Sequence, residues 1–130
     1  MRSAGLISIV DDDNSIREAT KGLVRSLGYR AAAFASAEEF LRSGSVDETS
    51  CLITDVRMPG LGGIELQQRL IAQGHPVPTI FITAFPEESA RRSALAAGAV
   101  GFLNKPFSEE SLLHCLEAAL RSPGERIPQP

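Results

Sequence analysis

The chain has 130 residues, 43% of them hydrophobic, with a net charge of -3 at pH 7 and a pI near 5.4. That is enough for one domain with a sizeable core and no need of disulfides. The mild acidity argues against a nucleic-acid or anionic-membrane surface as the main business of the segment. No window reaches the roughly 18 apolar residues of a membrane span and the first residues lack a signal-peptide pattern, so the expected location is the cytoplasm, with no membrane partner. Cys51 and Cys115 show no metal-ligand spacing and read as small core residues in a reducing compartment.

Residues 6–10 are an apolar run broken by one Ser and closed by three acids, Asp11, Asp12 and Asp13, the pattern of a buried strand with a polar end. Ile16, Ala19, Leu23 and Leu27 then recur at helical spacing, with Asn14 or Ser15 able to cap the start and Gly28 placed to end it. A second strand is predicted over 31–34. Ser36 and Glu39 follow at capping-box spacing, ahead of Phe40 and Leu41, and mark a short second helix.

The third strand, within CLITDVRMPG at 51–60, delivers one carboxylate, Asp55, to a turn built on Pro59 and Gly60, with Gly62 and Gly63 close behind. Ile64, Leu66, Leu70 and Ile71 mark a third helix that stops near Gly74. Residues 79–83 are β-branched or aromatic throughout and predict a central strand buried on both faces. An Ala-rich fourth helix over 87–97, with Arg91 and Arg92 exposed, ends at Gly98. A fifth strand over 100–103 is closed by Lys105 and Pro106. Leu112, Leu113, Leu116, Ala119 and Leu120 form an amphipathic fifth helix. Residues 122–130 hold three prolines and no apolar periodicity, and read as a tail or the start of a linker.

Five strand–helix units with short connections imply a parallel sheet covered by helices on both faces, with ligands beyond the carboxyl ends of the strands. Asp11 and Asp12, Asp55, Thr83 and Lys105 then converge from four strands on one edge. Carboxylates about 5 Å apart repel by roughly 3 kcal/mol per pair at an effective dielectric near 20, so the set calls for a hard divalent cation. Magnesium takes one or two carboxylates plus a phosphate oxygen. Held by Asp12 and Asp55, and by Asp11 through water, it would draw charge from a phosphoryl group as Asp55 attacks. Thr83 would donate a hydroxyl hydrogen bond, and Lys105 a point charge, to the remaining phosphoryl oxygens.

The segments IVDDDNS, LITDVRMPG, FITA and FLNKPF, in this order and spacing, resemble the receiver domain of two-component response regulators, from Leu6 to about Leu120. The RMPG turn and the FLNKPF ending are similar to receivers coupled to a helix-turn-helix transcriptional output domain. The resemblance implies an α/β, flavodoxin-like (βα)5 doubly wound fold with a five-stranded parallel sheet in order 2-1-3-4-5. It implies a receiver over 1–121, followed by the Pro-rich tail or linker.

Carried over residue by residue, the resemblance makes Asp55 the phospho-acceptor and Asp11 and Asp12 the acidic pocket for Mg2+ (or Mn2+), with the Arg57 backbone carbonyl a further ligand. Thr83 and Lys105 would bind the phosphoryl group, the Lys105–Pro106 peptide would be cis, and Phe102 would be the aromatic partner of Thr83 in a switch. Arg57 and Phe85 would flank the route of water to the phosphoryl group, a bulky Phe85 favouring a long-lived phosphoaspartate. The implied partners are a sensor histidine kinase and a second copy of the chain, joined through the fourth helix, fifth strand and fifth helix, roughly 87–121. DNA would be reached only through an output domain not in this chain. Chemistry would be limited to Mg-dependent self-phosphorylation and autodephosphorylation, so the chain is not expected to be an enzyme.

Plainer readings apply elsewhere. Asp13 reads as a turn former or helix cap, and His75 and His114 as structural or solvated. Two other classes compete: a haloacid-dehalogenase-like phosphatase, which attacks with its first-strand Asp and needs a later acidic pair, and a receiver-like module that binds partners without phosphate.

Overall fold

Parallel strands buried on both faces read as nearly continuous apolar runs, and β1 (Leu6–Val10) and β4 (Thr79–Thr83) are buried at every position. The computed structural model describes residues 5–84 and 88–120. Its elements alternate: β1, α1 (Asn14–Ser26), β2 (Arg30–Phe34), α2 (Ala37–Arg42), β3 (Thr49–Asp55), α3 (Gly63–Ala72), β4, α4 (Glu88–Ala96), β5 (Gly101–Asn104) and α5 (Glu109–Leu120). The strands form one parallel sheet in the order β2-β1-β3-β4-β5, the doubly wound arrangement expected from the sequence. Among the described residues no helix is long and apolar enough to cross a membrane.

Strand alternation sorts the core into two layers. Ile7, Ile9, Cys51, Ile53, Ile80 and Ile82 pack with Val24 of α1 and with Leu112, Leu116 and Ala119 of α5. Val10, Phe34 and Leu52 turn the other way, onto Ala37 and Phe40 of α2 and Leu66 and Leu70 of α3. Ser8, polar and fully buried, shares a 2.7 Å hydrogen bond with the Thr49 hydroxyl, which donates in turn to the Ser45 carbonyl. Both cysteines are free; burial pushes the Cys51 thiol up to about 12, so it stays protonated as a core group.

Helix ends follow the expected chemistry. α1, α3 and α4 each finish with a glycine at positive φ, Gly28, Gly74 and Gly98, and the next amide bonds back to Val24, Leu70 and Ala94 respectively. The Ser36 hydroxyl accepts the Glu39 amide, while Glu39 reaches back to the Ala35 amide. The cap of α1 is Asp13, read from the sequence as a turn former or helix cap, rather than Asn14 or Ser15: Asp13 is extended and its carboxylate accepts the Ile16 amide, whereas Asn14 is already helical and its side chain takes the Arg17 guanidinium. In α3, Ile71 points outward at 46% exposure, and Gln67 is buried at 3% in the face with Leu66 and Leu70. The helix is turned so that its 63–66–67–70 stripe meets the core. Strand and helix bounds otherwise shift by a residue or so, and Glu87, Phe85 and the predicted tail lie outside the described residues.

Among the described glycines the closest approach is at Gly63. A Cβ there would lie 2.1 Å from the Asp55 carbonyl oxygen and 3.2 Å from Phe81, because the first turn of α3 is laid directly against the end of β3. Gly22, by contrast, is exposed in mid-α1 with open space around its Cα. Gly63→Ala is therefore expected to cost about 2–3 kcal/mol through forced backbone displacement, and Gly22→Ala to add about 0.5–1 kcal/mol through helix propensity. Urea midpoints moving in opposite directions would bear this out; equal shifts would not.

Candidate functional site

In a parallel sheet every strand ends on the same edge, and here β1, β3, β4 and β5 end beside one another. Asp11 follows Val10, Asp55 is the last residue of β3, Thr83 the last of β4, and Lys105 follows Asn104, with its amide bonded to the Thr83 carbonyl at 2.8 Å. All four candidate strand ends thus meet in space. Lys105 and Pro106 are joined by a cis peptide bond.

At the centre is one ammonium shared by two carboxylates. Lys105 Nζ lies 3.0 Å from Asp11 Oδ2 and 2.9 Å from Asp55 Oδ2. The second oxygens take backbone donors: Asp11 Oδ1 accepts the Asp13 amide at 2.9 Å and Asp55 Oδ1 the Arg57 amide at 3.2 Å. Asp11 is fully buried, Asp55 nearly so, and Asp12 exposed. Asp12, Asp13, Asp55, Arg57, Ala84 and Lys105 line an open cleft of about 390 Å³. Thr83, one residue before the cleft-lining Ala84, is buried. Phe102, half-buried on β5, holds its ring 6.5 Å from that of Phe81. Phe85 lies outside the described residues.

Carboxylates crowd the site. Asp11, Asp12 and Asp55 offer ligand oxygens that all lie within 4.8 Å of one another, and the lysine bonds two of them. Burial raises the Asp11 carboxyl above its usual range, outweighing the Asp13 amide and the Lys105 charge that favour ionisation. Burial alone would lower Lys105, but its hydrogen bonds to Asp55 and Asp11 and their charges win, so the ammonium is held more firmly than in water. The donor set is all oxygen and open on the Asp12 side, which suits a hard divalent ion.

Some contributors gave little signal in the sequence. Arg17 donates to the Asp11 backbone carbonyl at 2.9 Å, tying α1 to the end of β1. Six residues of separation on a strand-to-helix turn is not a pattern that periodicity detects. Gly63 was legible only as a turn residue.

A family model described as response regulator receiver domain matches residues 7–117. The chain belongs to the response regulator receiver domains. Among curated relatives of this receiver, the response regulator protein TodT of Pseudomonas putida is 42% identical over 128 residues, covering 98% of this chain and 56% of TodT. The transcriptional regulatory protein FixJ of Bradyrhizobium diazoefficiens is 37% identical over 121 residues, 93% of this chain and 59% of FixJ. The receiver thus spans a little over half the length of these relatives. Among solved structures, response regulator StyR superposes with a TM-score of 0.83 at 41% identity, covering 91% of this chain and 60% of that one. FixJ-N gives 0.82 at 30% identity, covering 92% and 95%. Membership in the receivers speaks against the phosphatase alternative.

The crowding of carboxylates around Lys105 fixes the signs of two substitutions. The folded receiver holds the Asp11 proton more tightly than the unfolded chain, so the cost of ionised Asp11 is full above its folded pKa. That cost disappears as pH falls toward the unfolded value of 3.8. Asp11→Asn is expected to raise the urea midpoint of the metal-free receiver at pH 7, with the gain fading toward pH 4. Lys105→Met leaves two buried carboxylates without the ammonium that bonds them both and is expected to cost about 3 kcal/mol at pH 7. Paired denaturation curves at the two pH values test both; a stabilising Lys105→Met would contradict this charge balance.

Proposed function

We propose that this receiver accepts a phosphoryl group on Asp55 from the phosphohistidine of a sensor histidine kinase and uses it to switch an interaction surface. The observation that supports this best is the Lys105 ammonium shared by Asp11 and Asp55 at the floor of an open acidic cleft. An Asp55 oxygen attacks phosphorus, the N–P bond of the donor breaks, and its electron pair returns to the imidazole nitrogen. Lys105, already on Asp55, turns its ammonium to a phosphoryl oxygen, and the Thr83 hydroxyl donates to another.

Asp11, Asp12 and Asp55, with the Arg57 backbone carbonyl, would hold magnesium or manganese. When bound, the ion neutralises the charge that the phosphoryl oxygens and the carboxylates bring together. It would also relieve the excess of carboxylates over lysine. The reaction stays on the chain itself, as self-phosphorylation and autodephosphorylation. Arg57 lines the cleft where water would arrive, and Phe85 would be the other flank of that route.

The switch follows from the same bonds. A phosphoryl oxygen that draws in Thr83 vacates space beside β5, and Phe102 moves inward to fill it, reshaping the surface of α4, β5 and α5. A second receiver is the expected partner of that surface. Transcription is the expected output, through a domain beyond this chain, since the relative FixJ is a transcriptional regulatory protein. The cytoplasm, where histidine kinases present their phosphohistidine, is the expected location.

Intact mass after incubation with acetyl phosphate tests the chemistry. The expected outcome is one added phosphoryl group that requires both magnesium and Asp55 and is lost in Asp55→Asn. No gain in the wild type would favour a phosphate-independent interaction module. Phe102→Ala is expected to accept phosphate but to dimerise more weakly when phosphorylated, as read by analytical ultracentrifugation; undiminished dimerisation would remove Phe102 from the switch.

A further inference from the structure

The turn that carries Arg57 runs from the end of β3 to α3, and its backbone is tied down at both ends. The Val56 amide bonds to the Ile82 carbonyl at 3.3 Å, and the Gly63 amide to the Val56 carbonyl at 3.0 Å. Its far side is held from a different element. The Leu61 amide donates to Glu38 Oε2 at 3.0 Å, across 23 residues of sequence, from the first turn of α2. Gly60, at φ +77°, brings the chain so close that a Cβ there would lie 2.8 Å from the same oxygen. Met58 and Leu61 pack against the layer that contains Ala37 and Phe40 of α2. The turn is therefore pinned to α2 by one polar bond and a small apolar contact.

We infer that Glu38 is a positioning residue for the metal and phosphoryl site: through Leu61 it fixes the 56–62 turn, and so the Arg57 backbone, against the acidic cleft. The inference rests on the proposed magnesium-dependent chemistry at Asp55. Three features fit it. The Glu38 carboxyl is held below its usual range, first by its own backbone amide and then by that of Leu61, so the ionised acceptor is the favoured form. Hydrogen bonds to an ionised acceptor are among the stronger ones. The neighbouring acid on the same helix, Glu39, spends its side chain on the Ala35 amide and does not reach the turn, so the two glutamates divide the work of one short helix. Groups that orient ligands without touching the ion are a large part of a metal site's affinity.

Glu39 supplies the control. Glu38→Ala is expected to raise the magnesium dissociation constant about tenfold, measured by calorimetric titration of the full chain. In the metal-free protein it should speed hydrogen exchange at the Leu61 amide. Glu39→Ala, which removes a cap of the same helix, should leave magnesium affinity and Leu61 exchange as in the wild type. Glu38→Gln keeps a carbonyl acceptor and should restore most of both. If Glu38→Ala binds magnesium like the wild type, or if Glu39→Ala weakens it equally, the inference is overturned while the function proposed for Asp55 stands. If the wild type binds no magnesium, both fall together.

Discussion

The site depends on the crowding of carboxylates around one lysine. Three carboxylates stand at the end of a buried parallel sheet with a single ammonium bonded to two of them. Bringing such groups together in a partly desolvated place is unfavourable, and the raised Asp11 carboxyl records that cost. Under the proposed function that cost would be relieved by a bound cation and by a phosphoryl group that takes the lysine.

The rest of the fold holds this unfavourable arrangement in place. Two apolar layers, one under α1 and α5 and one under α2 and α3, fix the strands whose ends carry the charges. Because the sheet is parallel, four residues far apart in sequence arrive on one edge without any loop having to carry them there. The close approach of α3 to β3 then sets the height of Asp55, and only glycine at position 63 permits it. Arg17 from α1 and Glu38 from α2 grip the backbone beside the site from opposite sides. The helices are thus more than a cover for the sheet; two of them send a side chain to the main chain of a strand end or turn.

Much of this was legible in the sequence, and for a common reason. Buried strands, amphipathic helices, capping boxes and glycine stops are local patterns, so the order of elements and the layering of the core followed from periodicity. The sequence left the cap of α1 open among Asp13, Asn14 and Ser15, all good caps, and only the backbone conformation chooses Asp13. Ile71 was legible as a helix residue but not as an exposed one, since the angle at which a helix meets its sheet is set by packing between elements.

The sequence by itself determined the fold class, the five strand ends and the residue types that stand on them, because each follows from short-range pattern and from the motifs shared with receivers. Tertiary structure alone decided which groups touch. The shared lysine, the Gly63 contact with Asp55, and the bonds from Arg17 and Glu38 are fixed by distances between elements remote in the chain, and no local pattern encodes a distance.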